Sequence, residues 1–389
     1  MTTALYESAS ERCERLLRIN FTTLGMDRTG GNRVIFEVGT RLAAKGHDVT
    51  FTALTPYDRQ GRWFPLPRCK VIYAEMGAKL PGLSITAPGV VSQLLRKIHS
   101  PWDIDRLKVL ADAIPECDIN VATYNPTVFA VHRSGNGVPF YYVQHHEPLF
   151  YEDEYSRRMA EETYYLPLKC ITVSSWLRDL LLKQYGKNSY LCLNGVNRTV
   201  FYPKTIRRQD NKTRVLSIGR KLIWKGLDDL LRAMTLVYAE RQDVELLLVT
   251  QDELSIPRTT FPVRLLRANT DQELSEIYSA CDVYVNASWY EGFGLPNLEA
   301  MACGVPVVTT SRGVEDYVLH EYNALVTSPR QPKQMAHEII RILDNQHLRE
   351  RLIENGLKTA DVLTWEKTTE SVEAAFMGSL TDQGEPQVT

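Results

Sequence analysis

No apolar run approaches the roughly 18 residues that would mark a membrane-spanning helix. The longest candidates in the 389-residue chain, such as Val244–Val249, are strand-sized. Excess charge of either sign is missing too: 45 Lys and Arg face 47 Asp and Glu, a net charge of −2. That balance argues against a protein whose main work is gripping the phosphates of nucleic acid. Cysteine is sparse and shows no pairing pattern. Seven are scattered at Cys13, Cys69, Cys117, Cys170, Cys192, Cys281 and Cys303, with no Cys-x-x-Cys and no His/Cys cluster at zinc spacing. A disulfide scaffold and a structural zinc are therefore set aside, and buried free thiols in a reducing compartment are expected. Met1–Arg12 is polar and acidic, without the apolar stretch of a secretion signal, so the expected location is the cytoplasm. The sequence has neither a short-period repeat nor a low-complexity tract, which excludes a solenoid.

The composition that is present, 44% hydrophobic and 24% charged, is that of an ordinary globular protein. At about 150 residues per domain, the length accommodates two or three domains. Apolar β-branched runs alternate with segments of helical period. In the first half the runs are Leu17–Thr22, Val49–Ala53, Lys70–Tyr73, Asn120–Thr123, Phe140–Val143 and Cys170–Val173. A charged stretch with little to bury, Lys204–Thr213, breaks the rhythm and reads as a linker. The alternation then resumes with Val215–Ile218, Val244–Thr250, Val263–Leu266, Asp282–Asn286, Val305–Thr309 and Ala324–Val326 as strands, and Leu227–Glu240 and Gln334–Leu343 among the helices. Strands joined by crossover helices form parallel sheets. The expectation is an α/β protein of two doubly wound, Rossmann-like domains, residues 1–203 and 204–364, with a final helix within 365–380 returning to the first. The cleft between them is the natural ligand site.

The most informative string is Glu291-Gly-Phe-Gly-Leu-Pro-Asn-Leu-Glu299. A strand ends in a loop holding Gly292 and Gly294, and a helix starts near Pro296, where proline suits the first turn. Glycines there let backbone N–H groups approach an anion or a sugar hydroxyl, and a helix N-terminus favours negative charge. Glu291 and Glu299 bracket the loop, and carboxylates accept hydrogen bonds from vicinal hydroxyls. Upstream, Arg220 and Lys225 follow another strand beside Gly219 and Gly226, ahead of an amphipathic helix, which points to an anion.

The string Glu291 to Glu299 matches the E-x7-E signature of the retaining nucleotide-sugar glycosyltransferases of family 4, and the chain resembles that family over roughly residues 17–377. The resemblance implies the GT-B architecture and a hexosyl transfer from a nucleoside diphosphate sugar to an acceptor hydroxyl, with retention at the anomeric carbon. It implies that Glu299 holds the nucleotide ribose and that Arg220 and Lys225 hold the diphosphate and offset its charge during departure. Glu291, with the backbone of Gly292, Phe293, Gly294 and Leu295, would hold the donor sugar. Thr29-Gly30-Gly31-Asn32-Arg33 resembles the family's first strand–helix turn, with Gly30 and Gly31 letting the helix N-terminus face the donor phosphates and Arg33 expected in solvent. A polar residue over the sugar is implied within Gln144-His145-His146-Glu147; which of Gln144, His145 and His146 faces it stays open. No nucleophile stands out, and the family's front-face route, in which the leaving phosphate oxygen takes the acceptor's proton, requires none.

This sequence departs from the family at Asn197, where Asp is usual, and at Val249-Thr250-Gln251, where a Gly-rich turn is common, so the nucleotide base is not specified. Neither a metal nor another cofactor is expected: Asp103-Ile-Asp105 reads as helix-capping acids rather than a metal pair. Arg96, Lys97 and His99, with Arg106 and Lys108, lie near apolar Val90–Leu95 and form either a patch for a lipid surface or the solvated faces of two helices. A GT-B phosphorylase and a non-catalytic sugar-nucleotide-binding subunit remain alternatives. A Rossmann oxidoreductase would show Gly-x-Gly-x-x-Gly after the first strand, and this chain does not. Acceptor identity and oligomeric state have no signature.

Overall fold

The computed structural model describes residues 15–55, 64–66, 68–74, 101–208 and 210–381. Val90–Leu95, Arg96, Lys97, His99 and Met1–Arg12 lie outside the described residues.

The first domain is built on seven parallel strands: β1 (Arg18–Thr23), β2 (Asp48–Ala53), β3 (Lys70–Tyr73), β4 (Ile119–Ala122), β5 (Val138–Val143), β6 (Lys169–Thr172) and β7 (Ser189–Leu191), ordered β3-β2-β1-β4-β5-β6-β7. Helices α1 (Gly30–Ala44), α2 (Ile104–Asp112), α3 (Asn125–Ser134), α4 (Glu154–Glu162) and α5 (Ser175–Tyr185) fall between them. Sandwiching by helices explains why Ile19, Phe21, Val49, Phe51 and Phe140 are buried. Four polar side chains share this interior. Asn20 Nδ2 donates to Asn120 Oδ1 at 3.0 Å and to Thr22 Oγ1 at 2.9 Å, and Thr52 Oγ1 donates to Asn20 Oδ1 at 2.7 Å. A register slip of one residue would leave these groups unpaired in the core, so the ladder fixes the pairing.

The second domain repeats the scheme with β8 (Thr213–Ile218), β9 (Val244–Val249), β10 (Val263–Leu266), β11 (Val283–Val285), β12 (Val307–Thr310) and β13 (Leu325–Thr327), ordered β10-β9-β8-β11-β12-β13. Its helices are α6 (Leu227–Glu240), α7 (Asp271–Ser279), α8 (Leu295–Ala302), α9 (Pro332–Asp344) and α10 (Gln346–Val362). Every residue of β9 is buried; its five aliphatic residues suit a central parallel strand, and Glu245 is accommodated by ion pairs with Arg214 and Arg264. In both sheets the order reverses beside the first strand, between β1 and β4 and between β8 and β11. Such switch points open crevices at the carboxyl ends of the strands. The two crevices face each other.

Strands read from the sequence lie within two residues of those observed; β12 starts later, at Val307, because Pro306 has no N–H to give a ladder. Short, half-buried β7 and the largely polar α10 carry weak periodicity and were not anticipated. The last helix, α11 (Trp365–Thr381), leaves the second domain and packs against α1 and β7. Phe376 meets the Phe140 ring edge-on at 4.9 Å, His47 Nε2 lies 2.8 Å from Glu373 Oε1, and Thr368 Oγ1 donates to the Leu193 carbonyl. Asp103 caps α2 through its carboxylate, accepting from the amides of Asp105 and Arg106. Its carboxylate is thus committed to the helix end. No described helix is long and apolar enough to cross a membrane.

Candidate functional site

A cavity of about 640 Å³ lies between the carboxyl ends of the two sheets. The first domain supplies the β1–α1 loop with Gly30 and Gly31, Tyr124 after β4, and Gln144, His145 and Phe150 after β5; the second supplies Arg220, Trp224, Lys225 and the segment from Glu291 to Pro296. A narrower extension of about 160 Å³ continues past Gly30 and Arg220 to Gln251, Ala268, Asp271 and Glu299. The helix N-terminus of α1 opens onto the junction, its first turn closed by Thr29 accepting from the Asn32 amide.

At the centre, Lys225 Nζ donates to both oxygens of Glu291, at 2.7 and 2.9 Å. Burial by itself would raise the Glu291 carboxyl, but the Lys225 ammonium overrides it and holds the group below the ordinary carboxylate range. Lys225 also sits 4.4 Å over the Trp224 ring. Arg220 lies beside this pair, 37% exposed, with Nε 3.3 Å from Asp252 Oδ2 but not aimed at it in hydrogen-bond geometry. Two cations and one carboxylate thus converge where a helix N-terminus also points.

The Glu291–Glu299 loop is positioned by close backbone approaches. Gly294 adopts φ +80°, a left-handed conformation that glycine takes without strain, and α8 starts at the next residue. A Cβ at Gly292 would come within 1.8 Å of the Gln144 carbonyl oxygen, across the domain boundary. Phe293 is buried against Tyr317, and Leu295 and Pro296 begin α8 at the cavity edge. Glu299, one turn further on, reaches the narrow end rather than the centre.

His145 is the histidine that enters the cleft. Its ring lies 4.8 Å from Trp224, 4.8 Å from Phe150 and 5.5 Å from Tyr290. Burial, reinforced by the Lys225 charge, lowers its pKa to about 3, so the imidazole is neutral at physiological pH. Nδ1 lies 3.3 Å from the His146 carbonyl, and that contact assigns the proton to Nδ1 and leaves Nε2 an acceptor, buried without a protein partner. His146 is a correction to the sequence expectation. It turns away from the cavity, with Nε2 3.1 Å from the Tyr185 hydroxyl and its ring stacked on Tyr164. The chain bends at His145 before the short helical turn that begins at Glu147, and past this bend the His146 ring is directed toward Tyr164 and Tyr185 instead of the cleft. Gln144 lines the cavity as well, its Nε2 donating to the Thr123 carbonyl and its Oε1 unpartnered.

Arg33 is the second correction. Expected in solvent, its side chain is only 13% exposed; Nη1 donates to Glu299 Oε1 at 3.0 Å and Nη2 pairs with Asp271. Glu299 Oε2 accepts from the Tyr278 hydroxyl at 3.1 Å. Arg33 and Glu299 are 266 positions apart, and no local pattern announces their meeting. Asp271, Tyr278 and the aromatic group of Phe150, Trp224 and Tyr290 are further site residues that sequence reasoning missed. The only signal near them, Thr270-Asp-Gln-Glu273, marks a helix start, with Thr270 capping α7.

Glu147 lies behind His145 and is wholly buried, its Oε2 accepting from Tyr141 Oη and the Asn125 amide, both at 2.6 Å. Burial pushes its carboxyl up to about 8, against the lowering effect of those two hydrogen bonds. A folded-state pKa raised above the unfolded value contributes stability that is full below about 4.5 and is lost as pH rises through about 8. Glu147→Gln is therefore expected to flatten the decline in melting temperature between pH 5 and 8; a decline identical to the parent's would refute the assignment.

Residues 201–359 match the model of the family described as glycosyl transferases group 1. An α-(1→4)-mannosyltransferase of Mycolicibacterium hassiacum is 31% identical over 238 residues, 57% of this chain and 56% of that protein. The chain spans less than two thirds of the length of these curated relatives. Among solved structures, sucrose-phosphate synthase of Thermosynechococcus elongatus superimposes with a TM-score of 0.72 at 20% identity, covering 94% of this chain and 98% of the other. The fold is GT-B. HepE of Anabaena, solved with UDP and glucose, gives 0.69 at 15% identity, with 93% and 99% covered. In the GT-B cleft described here, the family match covers the half that carries Arg220, Lys225, Glu291 and Glu299. Among the described residues, no group of three His, Cys, Asp or Glu side chains is arranged to hold a metal ion.

Proposed function

We propose that this chain is a nucleotide-sugar-dependent hexosyltransferase that retains the configuration of the transferred sugar. The observation that carries the reading is the convergence of Lys225, Arg220 and Glu291 on a cavity whose walls hold buried polar atoms without protein partners: Gln144 Oε1, His145 Nε2, Asn194 Oδ1 and Trp224 Nε1. Buried polar groups are nearly always paired, so three acceptors and a donor around one space describe a hydroxyl-rich ligand. The adjoining cations suit a diphosphate. The group 1 match and the HepE complex with UDP and glucose support the same class of donor.

In this reading the nucleoside occupies the narrow end, with Glu299 receiving ribose hydroxyls, and the sugar lies in the larger cavity against Glu291 and His145. Arg220 and Lys225 stabilise the negative charge that grows on the diphosphate as the bond to the anomeric carbon breaks. Neutral His145 offers an electron-rich Nε2 near the positive charge developing on the sugar ring. The acceptor hydroxyl attacks from the face the phosphate leaves, and its proton passes to the departing phosphate oxygen. The cationic pair performs the charge neutralisation that a metal performs elsewhere, so activity is expected to survive a chelator. The reaction is proposed for the cytoplasm.

A thermal-shift screen over nucleoside diphosphates and their sugars tests the donor. A ligand at about 100 times its Kd stabilises by roughly 2.7 kcal/mol, enough to raise the melting temperature measurably. Glu299→Ala is expected to abolish most of that shift for nucleoside diphosphates; an undiminished shift would remove Glu299 from the ribose role.

A further inference from the structure

We propose that Arg33 is an interdomain latch that competes with the nucleoside for Glu299, so that donor entry and domain closure are coupled through one guanidinium. The inference rests on the nucleotide-sugar reading and extends it to how the site is controlled. Arg33 belongs to α1 of the first domain, whereas both carboxylates it holds, Asp271 on α7 and Glu299 on α8, belong to the second. The guanidinium also lies 5.8 Å from the Phe201 ring. A second bond crosses the same seam nearby, from Arg28 Nη1 to the Ala268 carbonyl at 2.9 Å.

A carboxylate that receives two vicinal hydroxyls must present an oxygen to each. In Glu299, Oε1 faces Arg33 and Oε2 faces the Tyr278 hydroxyl. Tyr278 comes from the same domain as Glu299 and moves with it; Arg33 does not. The nucleoside therefore gains Glu299 Oε1 as Arg33 yields it. Asp271 makes the exchange feasible. Abandoning a buried charge without a partner is the costly outcome, and Asp271 retains the guanidinium when Glu299 is taken. Arginine suits this duty because its planar fork can serve two carboxylates at once, whereas a lysine ammonium is a single point charge. The latched form holds the domains together with the nucleoside end partly blocked, and the apparent affinity for nucleotide is reduced by the fraction of molecules so held.

The test compares the full-length parent with Arg33→Ala and Arg33→Lys, using calorimetric titration with UDP, GDP, ADP, CDP and TDP, donor kinetics and small-angle scattering of the nucleotide-free proteins. Burial raises the Glu299 carboxyl and Arg33 opposes that rise, so the titrations are made on the alkaline side, where Glu299 keeps its charge without the guanidinium. There Arg33→Ala is expected to bind its preferred nucleoside diphosphate about tenfold more tightly, with a lower donor KM, no rise in kcat, and a larger radius of gyration before nucleotide is added. Arg33→Lys, which keeps the charge but serves one carboxylate at a time, is expected to fall between. Variants that bind the nucleotide no more tightly than the parent overturn the latch and leave the donor reading standing. If none of the three proteins binds UDP, GDP, ADP, CDP or TDP, both fall.

Discussion

Lys225→Met is expected to lower kcat by about 100-fold or more, the loss seen when a preorganised charge-stabilising donor is removed. The substitution acts twice. It withdraws a cation from the diphosphate, and it leaves Glu291, whose oxygens lie 2.7 and 2.9 Å from the lysine nitrogen, with neutral partners, Asn286 Nδ2 at 3.4 Å and the Ser288 side chain, in place of its cation. A buried carboxylate without its cation protonates, so the glutamate that would receive a sugar hydroxyl becomes a neutral acid. The pH dependence of stability follows with a definite sign. In the parent, a carboxyl held below its ordinary range contributes stability above that range, which is lost as the pH falls into acid. In Lys225→Met that acid-side loss disappears. Combining it with Glu291→Gln separates the effects: the double variant regains stability because no charge is stranded, but not turnover. Activity within threefold of the parent in Lys225→Met would refute the leaving-group role.

Gly292→Ala is expected to reduce kcat/KM by about 100-fold, a typical penalty for displacing reacting groups by an ångström, while leaving each domain folded. The added carbon would stand 1.8 Å from the Gln144 carbonyl oxygen, and the two atoms belong to different domains. Separation of the domains relieves the clash, so the defect is one of closure. Nucleotide binding, assigned to the second domain, should survive, and so should most of the melting temperature. Losing nucleotide binding together with the fold would instead show that Gly292 shapes the second domain alone.

The parts of this molecule that could be read from sequence are those encoded locally. Val244–Val249 announces a buried strand because all but Glu245, which Arg214 and Arg264 pair, are large aliphatic residues, and Gly294 with Pro296 announces a loop entering a helix. The two-domain division followed from a charged stretch with nothing apolar to bury. Glu291, Glu299, Arg220 and Lys225 stood out as a pattern tied to strand ends, and all four line the cleft. What escaped was assembled at a distance. Arg33 looked like a solvent-facing helix residue because its partners, Asp271 and Glu299, lie more than 230 positions away. The adjacent histidines at 145 and 146 were indistinguishable on paper, since only the backbone direction after β5 decides which ring enters the cavity. The stacking of Phe150 and Tyr290 on Trp224 joins three segments from two domains and leaves no periodic trace.

The return of α11 to the first sheet means that the chain passes between the domains twice, and the two passages lie side by side. Val196, near the first, donates its amide to the Leu363 carbonyl of the second at 3.0 Å, and a Cβ at Gly195 would strike the backbone of Thr364 at 2.1 Å. A single bridge between Val196 and Thr364 thus pins the two crossings together where the domains meet. The Gln144–Gly292 contact and the Arg33–Glu299 pair therefore span the same two domains that this pinned double crossing joins. The first domain also gains part of its outer wall from residues that follow the whole second domain in the chain.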